Sequence, residues 1–138
     1  MLNIPVLALV KGVLHTARTI AVVGFSPKVN RPSHMVGCYL MQAGYRVIPV
    51  NPGHSEICGV TCYPDLVSIP EQIDVVNIFR RSGDVLPIVA EAIAIGAKVI
   101  WMQQGILNQV AAALAEKAGL AVIMDRCIMV DHMQFGSV

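Results

Sequence analysis

Four apolar runs stand out along the chain: "TIAVVG" (19–24), "RVIPVN" (46–51), "DVVNIF" (74–79) and "KVIWMQ" (98–103). A fifth, "LAVIMD" (120–125), closes the series. Each run is continuous rather than alternating, and a strand greasy on both faces belongs in a parallel sheet covered by helices on both sides. Between the runs the spacing predicts helices over 33–43, 83–95 and 107–118, the first starting at Ser33, the second with Asp84 near its start and the third starting near Asn108. Gly44, Gly96 and Gly119 stand just past them, where a left-handed stop favours glycine. The repeated strand–helix–glycine cycle predicts a doubly wound, Rossmann-like α/β fold with a mostly parallel sheet of five to six strands.

Two segments stand apart from that rhythm. Residues 1–17 read as an opening helix packed on the domain, with Asn3 as cap and Pro5 in the first turn. They do not read as a signal peptide, because no positive leader precedes the apolar part and Lys11 and His15 interrupt it. Residues 52–70, rich in Pro and Gly, read as a loop with at most a short edge strand near "VTCY". Neither breaks the chain into parts, and residues 1–138 are expected to form one domain.

Composition narrows the functional classes. With 55% hydrophobic and 14% charged residues the chain is neither disordered nor solvating. A net charge of +1 argues against nucleic acid as a partner, since capture of nucleic acid needs a basic face. No run reaches the roughly 18 apolar residues of a membrane span. Of the four cysteines, Cys58 and Cys62 have a spacing that approaches one zinc ion, but no second pair accompanies them and His54 alone is a poor fourth ligand. The cysteines therefore read as reduced thiols of a cytoplasmic protein, with no metal site.

The unusual residues fall where the strands end. After the first come Gly24-Phe25-Ser26-Pro27, after the second Asn51-Pro52-Gly53, after the third Arg80-Arg81, and after the fourth Gln103-Gln104-Gly105. In an open parallel sheet these loops share one rim, the rim at which ligands bind. Gly24 permits a tight turn, Ser33 is a candidate cap for the next helix, Pro32 stiffens its entry, and Arg31 suits charge-assisted contacts to phosphate. Lys28 adds diffuse positive charge. The helix start itself favours an anion. A dinucleotide fingerprint is absent: Ser26 and Val29 replace its second and third glycines, and no carboxylate ends the second strand. No Walker sequence occurs.

The chain resembles the small CoA-binding proteins of bacteria and archaea, related to the CoA-binding domain of the succinyl-CoA synthetase alpha subunit. The matching pieces are Gly24-x-Ser26, Arg31-Pro32-Ser33, Val36, Tyr39-Leu40, Gly44-Tyr45, Pro49-Val50-Asn51-Pro52, Gly59, Cys62-Tyr63, Phe79-Arg80-Arg81, Trp101-Met102-Gln103, Gly105 and Asp125-Arg126-Cys127. The resemblance implies coenzyme A as ligand, with Ser26, Arg31 and Ser33 facing its pyrophosphate and the 51–53 loop beside the adenosine end. It implies that Phe79, Arg80 and Arg81 line the cleft, and that Gln103, Gly105 and the following Ile106 approach the pantetheine arm. Cys127, at the end of the last strand, is a candidate to meet the CoA thiol. The tail departs from the family pattern, with Asp131-His132 followed by Met133-Gln134-Phe135. The expected role is a non-catalytic binding or regulatory module, acting as a homo-oligomer or with an enzyme partner. The alternative is an enzyme of acyl-CoA or nucleotide chemistry whose reactive group the sequence does not identify.

Overall fold

A computed structural model describes residues 4–136. Five parallel strands form the main sheet: β1 (Thr19–Val23), β2 (Arg46–Val50), β5 (Val75–Ile78), β6 (Val99–Met102) and β7 (Ala121–Ile123), in the order β2-β1-β5-β6-β7. Between β2 and β5 a two-stranded antiparallel hairpin, β3 (Glu56–Ile57) and β4 (Val60–Thr61), makes a second small sheet. Tyr63 bridges to Val50 at the open edge of β2, accepting from the Asn51 amide (2.9 Å) and donating to the Pro49 carbonyl (3.0 Å). The edge pairing expected near 60–63 is therefore real but one residue long.

The helices are α1 (Ile4–Thr16), α2 (Pro32–Gln42), α3 (Val85–Ala94, preceded by a 3-10 turn at Ser82–Asp84), α4 (Gln109–Lys117) and α5 (Ile128–Phe135). Of the opening helix's two signals, Pro5 lies in its first turn as expected and Asn3 lies outside the described residues. The pleat sorts the strand side chains into two cores. Ala21, Val23, Ile48, Val50, Val76, Ile78, Ile100 and Met102 face α3 and α4. Ile20, Val22, Val47, Val75, Val99, Trp101 and Ile123 face α1, α2 and α5. Burial on both faces is why these runs carry no polar alternation.

Asp74 fixes the start of β5 against β1, accepting from the amides of Arg18 (2.9 Å) and Thr19 (3.0 Å). Burial pushes its carboxyl up, but those two amides and the Lys98 ammonium outweigh burial and hold it below the usual carboxylate range.

The last helix, α5, was not expected from the sequence. It closes the α1/α2 face and is anchored by a two-pronged ion pair, Arg126 Nε to Asp131 Oδ2 (2.7 Å) and Arg126 N–H to Asp131 Oδ1 (2.8 Å), with Asp131 only 3% exposed. Its neighbour His132 points the other way. There His132 Nδ1 shares a 2.7 Å hydrogen bond with the Tyr39 hydroxyl, and its ring sits edge-on to Tyr39 and Tyr45. The adjacent Asp131 and His132 thus serve different packing contacts and do not form an acid–base pair.

Burial, with the His15 charge adding to it, pushes the His132 imidazole below its ordinary value of 6.5. The unfolded chain therefore binds more protons than the folded one as pH falls through that ordinary value, so this group's contribution is full above pH 6.5 and drains away below it. The melting temperature is expected to fall between pH 7.5 and 5.5, and to fall less in His132→Gln. Equal slopes for the two proteins would remove His132 as the cause.

Candidate functional site

The strand order turns at β1: the chain leaves it through α2 to reach β2 on one side, while β5 lies on the other. Divergence of the two connections opens a crevice between the loops that follow β1 and β5, as at the switch point of other doubly wound sheets. A cleft of about 640 Å³ fills that crevice, walled by Gly24, Ser26–Lys28, the Arg31–Ser33 start of α2, Asn51, His54, Phe79–Arg81 and Ile106.

Its floor depends on close approach. Gly24 has φ +89° and lies so near the Phe79 carbonyl that a side chain there would collide with backbone. Its own N–H donates to the Val50 carbonyl (2.8 Å), so this amide faces the sheet and not the cleft. Asn51 adds a second tie across the same strands, Nδ2 donating to the Phe25 carbonyl (2.9 Å). The Phe25 ring itself is fully buried beneath Gly37 of α2, where only a hydrogen leaves room for it.

Ser33 does something other than the expected capping. Pro32 takes the first helical position and Arg31 the cap position, with no side-chain cap bond. Ser33 is buried in the first turn, and its hydroxyl accepts from the Ser26 amide (3.0 Å). Ser26 in turn accepts from Lys28 N at its hydroxyl (3.1 Å) and from His34 Nδ1 at its carbonyl (2.8 Å). The loop is tied to the helix start at two points, through Ser33 and His34, and braced within itself at Lys28, while the uncapped helix presents its positive end to the cleft.

Three guanidinium groups surround this opening. Arg81 pairs with Asp84 (3.2 Å), whereas among the described residues Arg31 and Arg80 make no ion pair. The site therefore concentrates uncompensated positive charge in a chain whose net charge is only +1.

Pro32, Phe79 and Ile106 also wall a second groove, of about 480 Å³, which continues past Met35, Val36, Gln103 and Gln104 to Cys127 and Met129. Cys127 is half-buried there, not sealed. The Gln103 side chain is largely committed inward: its Oε1 accepts from Asn77 Nδ2 (3.2 Å) and the Ile128 amide (3.4 Å). That places Gln103 as the link between the centre of the sheet and the start of α5.

Eleven of the residues singled out in the sequence, Gly24, Ser26, Pro27, Arg31, Pro32, Ser33, Asn51, Phe79, Arg80, Arg81 and Ile106, line the larger cleft, and Gln103 lines the groove. Two do not join them. Pro52 sits in a small hollow on the far side of Arg80, and Gly105 lies outside both cavities with its amide donating to Asp125 Oδ1 (2.6 Å). His54 and Met129 are additional wall residues. His54 was legible as the residue after the rim segment Asn51-Pro52-Gly53; Met129 belongs to the unexpected helix.

The cysteines are arranged differently from their spacing in the chain. Cys62 is buried, with burial raising its thiol above the ordinary value, and it donates to the Asn51 carbonyl (3.5 Å). Cys58 instead lies 3.5 Å from Cys38 Sγ and 3.6 Å from His34 Nε2. Burial, with Cys58 alongside, pushes the Cys38 thiol up to about 11.

Comparison with known proteins agrees with the fold. Residues 18–133 match the CoA binding domain family. The chain is 42% identical over 128 residues to the uncharacterised protein YneT of Bacillus subtilis (strain 168), covering 93% of this chain and 95% of that one. A solved structure of a hypothetical protein from Pyrococcus horikoshii OT3 superposes with a TM-score of 0.92 at 37% identity, over 95% of this chain and 92% of that chain. An ADP-forming acetate–CoA ligase of Archaeoglobus fulgidus is 31% identical over 83 residues, which are 59% of this chain and 12% of the ligase. With five-sixths of its length matched and a crevice at the same strand ends that the motif residues occupy, the chain belongs to the CoA binding domain family.

Proposed function

We propose that the protein binds coenzyme A in the cleft and groove, as a binding or regulatory module without a reaction of its own. The observation that carries this reading is the continuity of the two cavities through Pro32, Phe79 and Ile106. Coenzyme A has a compact anionic head and a long, slender, weakly polar arm. The cleft offers the head Arg31, Arg80, Lys28 and the start of α2; the groove offers the arm Val36, Met35 and Met129.

In this arrangement the pyrophosphate meets Arg31 and the first turn of α2, where charge-assisted bonds and the helix dipole act together. The adenosine end lies toward Asn51 and His54. The thiol end of the arm arrives near Cys127. The rim thus supplies grip and orientation. His34, the imidazole nearest the phosphate loop, spends its Nδ1 proton on the Ser26 carbonyl, which suits a part in holding the loop. The kinship to one segment of an acetate–CoA ligase supports a partner enzyme as the recipient of the bound cofactor.

Isothermal titration tests the reading. Coenzyme A is expected to bind one per chain, dephospho-CoA about tenfold or more weakly because one charged contact worth roughly 1.5–3 kcal/mol is lost, and NAD weakest of the three. Indifference to all three ligands would overturn the assignment.

A further inference from the structure

We propose that His34, Cys38 and Cys58 form a binding site for a zinc-class divalent ion, separate from the cofactor cleft. The three ligand atoms lie within 4.8 Å of one another at the outer side of α2, where the β3–β4 turn comes against it. His34 and Cys38 are four residues apart on α2 and so share one face of the helix. Cys58 arrives from the turn between β3 and β4.

The two edges that meet at Cys58 suit a tetrahedral ion, and the third, Cys38 to His34, lies within 4.8 Å. With Zn–S near 2.3 Å and Zn–N near 2.0–2.1 Å, a tetrahedron has S···S edges of roughly 3.8 Å and S···N edges of roughly 3.6 Å. The corresponding separations are 3.5 Å for Cys38–Cys58 and 3.6 Å for Cys58–His34. An ion would fit between them with shifts of a few tenths of an ångström on those edges. Two thiols and an imidazole also form a soft donor set, suited to zinc and unsuited to magnesium or calcium.

Two further features point to a ligand and not to chance proximity. His34 Nδ1 can only be donating to the Ser26 carbonyl (2.8 Å), which leaves Nε2 with its lone pair free on the side of the Cys58 sulfur, 3.6 Å away. A second bond of this kind fixes the tautomer and ring plane of metal-binding histidines. In addition, Cys58 occupies a left-handed conformation (φ 54°), followed by Gly59 (φ 74°), in a two-residue hairpin turn. Asn or Gly takes the first position of such turns without strain. A cysteine held there against its backbone preference is accounted for by what its thiol meets. The part-exposed position of the cluster leaves a fourth coordination place for water, as in zinc sites with three protein ligands.

Cobalt(II) serves as the probe, added under anaerobic conditions to reduced, chelator-stripped protein. One equivalent is expected to give the thiolate-to-cobalt charge-transfer absorption and the intense visible bands of tetrahedral cobalt, both displaced by zinc. Cys38→Ser and Cys58→Ser should each weaken binding by at least the ~10–100-fold that follows loss of a mere outer partner and halve the charge-transfer intensity. Cys62→Ser and Cys127→Ser should leave both unchanged. Zinc should also protect two thiols of the native chain from alkylation, mapped to Cys38 and Cys58, a readout that needs no variant to fold. Absence of the charge-transfer band, its undiminished intensity in Cys38→Ser, or protection of other cysteines would overturn the site. None of these results depends on whether coenzyme A binds.

Discussion

Replacement of Arg31 by alanine is expected to weaken coenzyme A binding about 10- to 100-fold while leaving the melting temperature of the ligand-free protein unchanged. The arginine is exposed at the cap position of α2, makes no ion pair among the described residues, and lines the cleft. Its removal takes away a charge-assisted contact worth roughly 1.5–3 kcal/mol and little else, since exposed positions without partners rarely shift stability by more than about 0.5 kcal/mol. Arg80→Ala should behave alike. Arg81→Ala should cost less, because that guanidinium is already shared with Asp84. Titration calorimetry and thermal melts on the same samples separate the two effects. Unchanged affinity in Arg31→Ala would move the ligand elsewhere; a lowered melting temperature without ligand would make the arginine a structural element.

A loss of stability is expected for Gly24→Ala, which should be the most destabilising small change at the rim. The residue sits at φ +89°, where a side chain costs about 1–2 kcal/mol. The new methyl would also press on the Phe79 carbonyl, a backbone atom that cannot swing aside, and overpacking of this kind adds about 1–3 kcal/mol. For a chain of this size the sum corresponds to a fall of roughly 10 °C in melting temperature. Ligand binding should suffer as well, because the methyl forces apart the two loops that wall the cleft. A variant melting within about 2 °C of the parent would show that the strands separate there at little cost, and the close approach would lose its explanatory role.

The sheet was readable in the sequence because its strands are buried on both faces, so 19–24, 46–51, 74–79, 98–103 and 120–125 appear as unbroken apolar runs. The rim was readable too, since parallel topology alone brings Gly24, Asn51, Arg80 and Gln103 to one edge. Three things were not. The helix Ile128–Phe135 buries an aspartate, and Asp131 looks like a surface residue until Arg126 is seen to pair with it. Ser33 is of a residue type that favours the cap, but Pro32 fits the first helical position so well that the cap falls to Arg31 and the serine turns back to Ser26. The cluster of His34, Cys38 and Cys58 has no signature in the chain because one member comes from a hairpin whose placement is decided by tertiary packing. Spacing along the chain pairs Cys58 with Cys62, which the fold instead buries near Asn51.

The two ties that fasten Ser26 to the start of α2, with the brace from Lys28 inside the loop, bear on how tightly any guest is held. A loop that must be immobilised on arrival subtracts its lost disorder from the affinity, whereas one already rigid subtracts almost nothing. Here the main chain is frozen beforehand, and only the long arginine side chains have freedom left to surrender. The protein meets its visitor with a stiff palm and loose fingers.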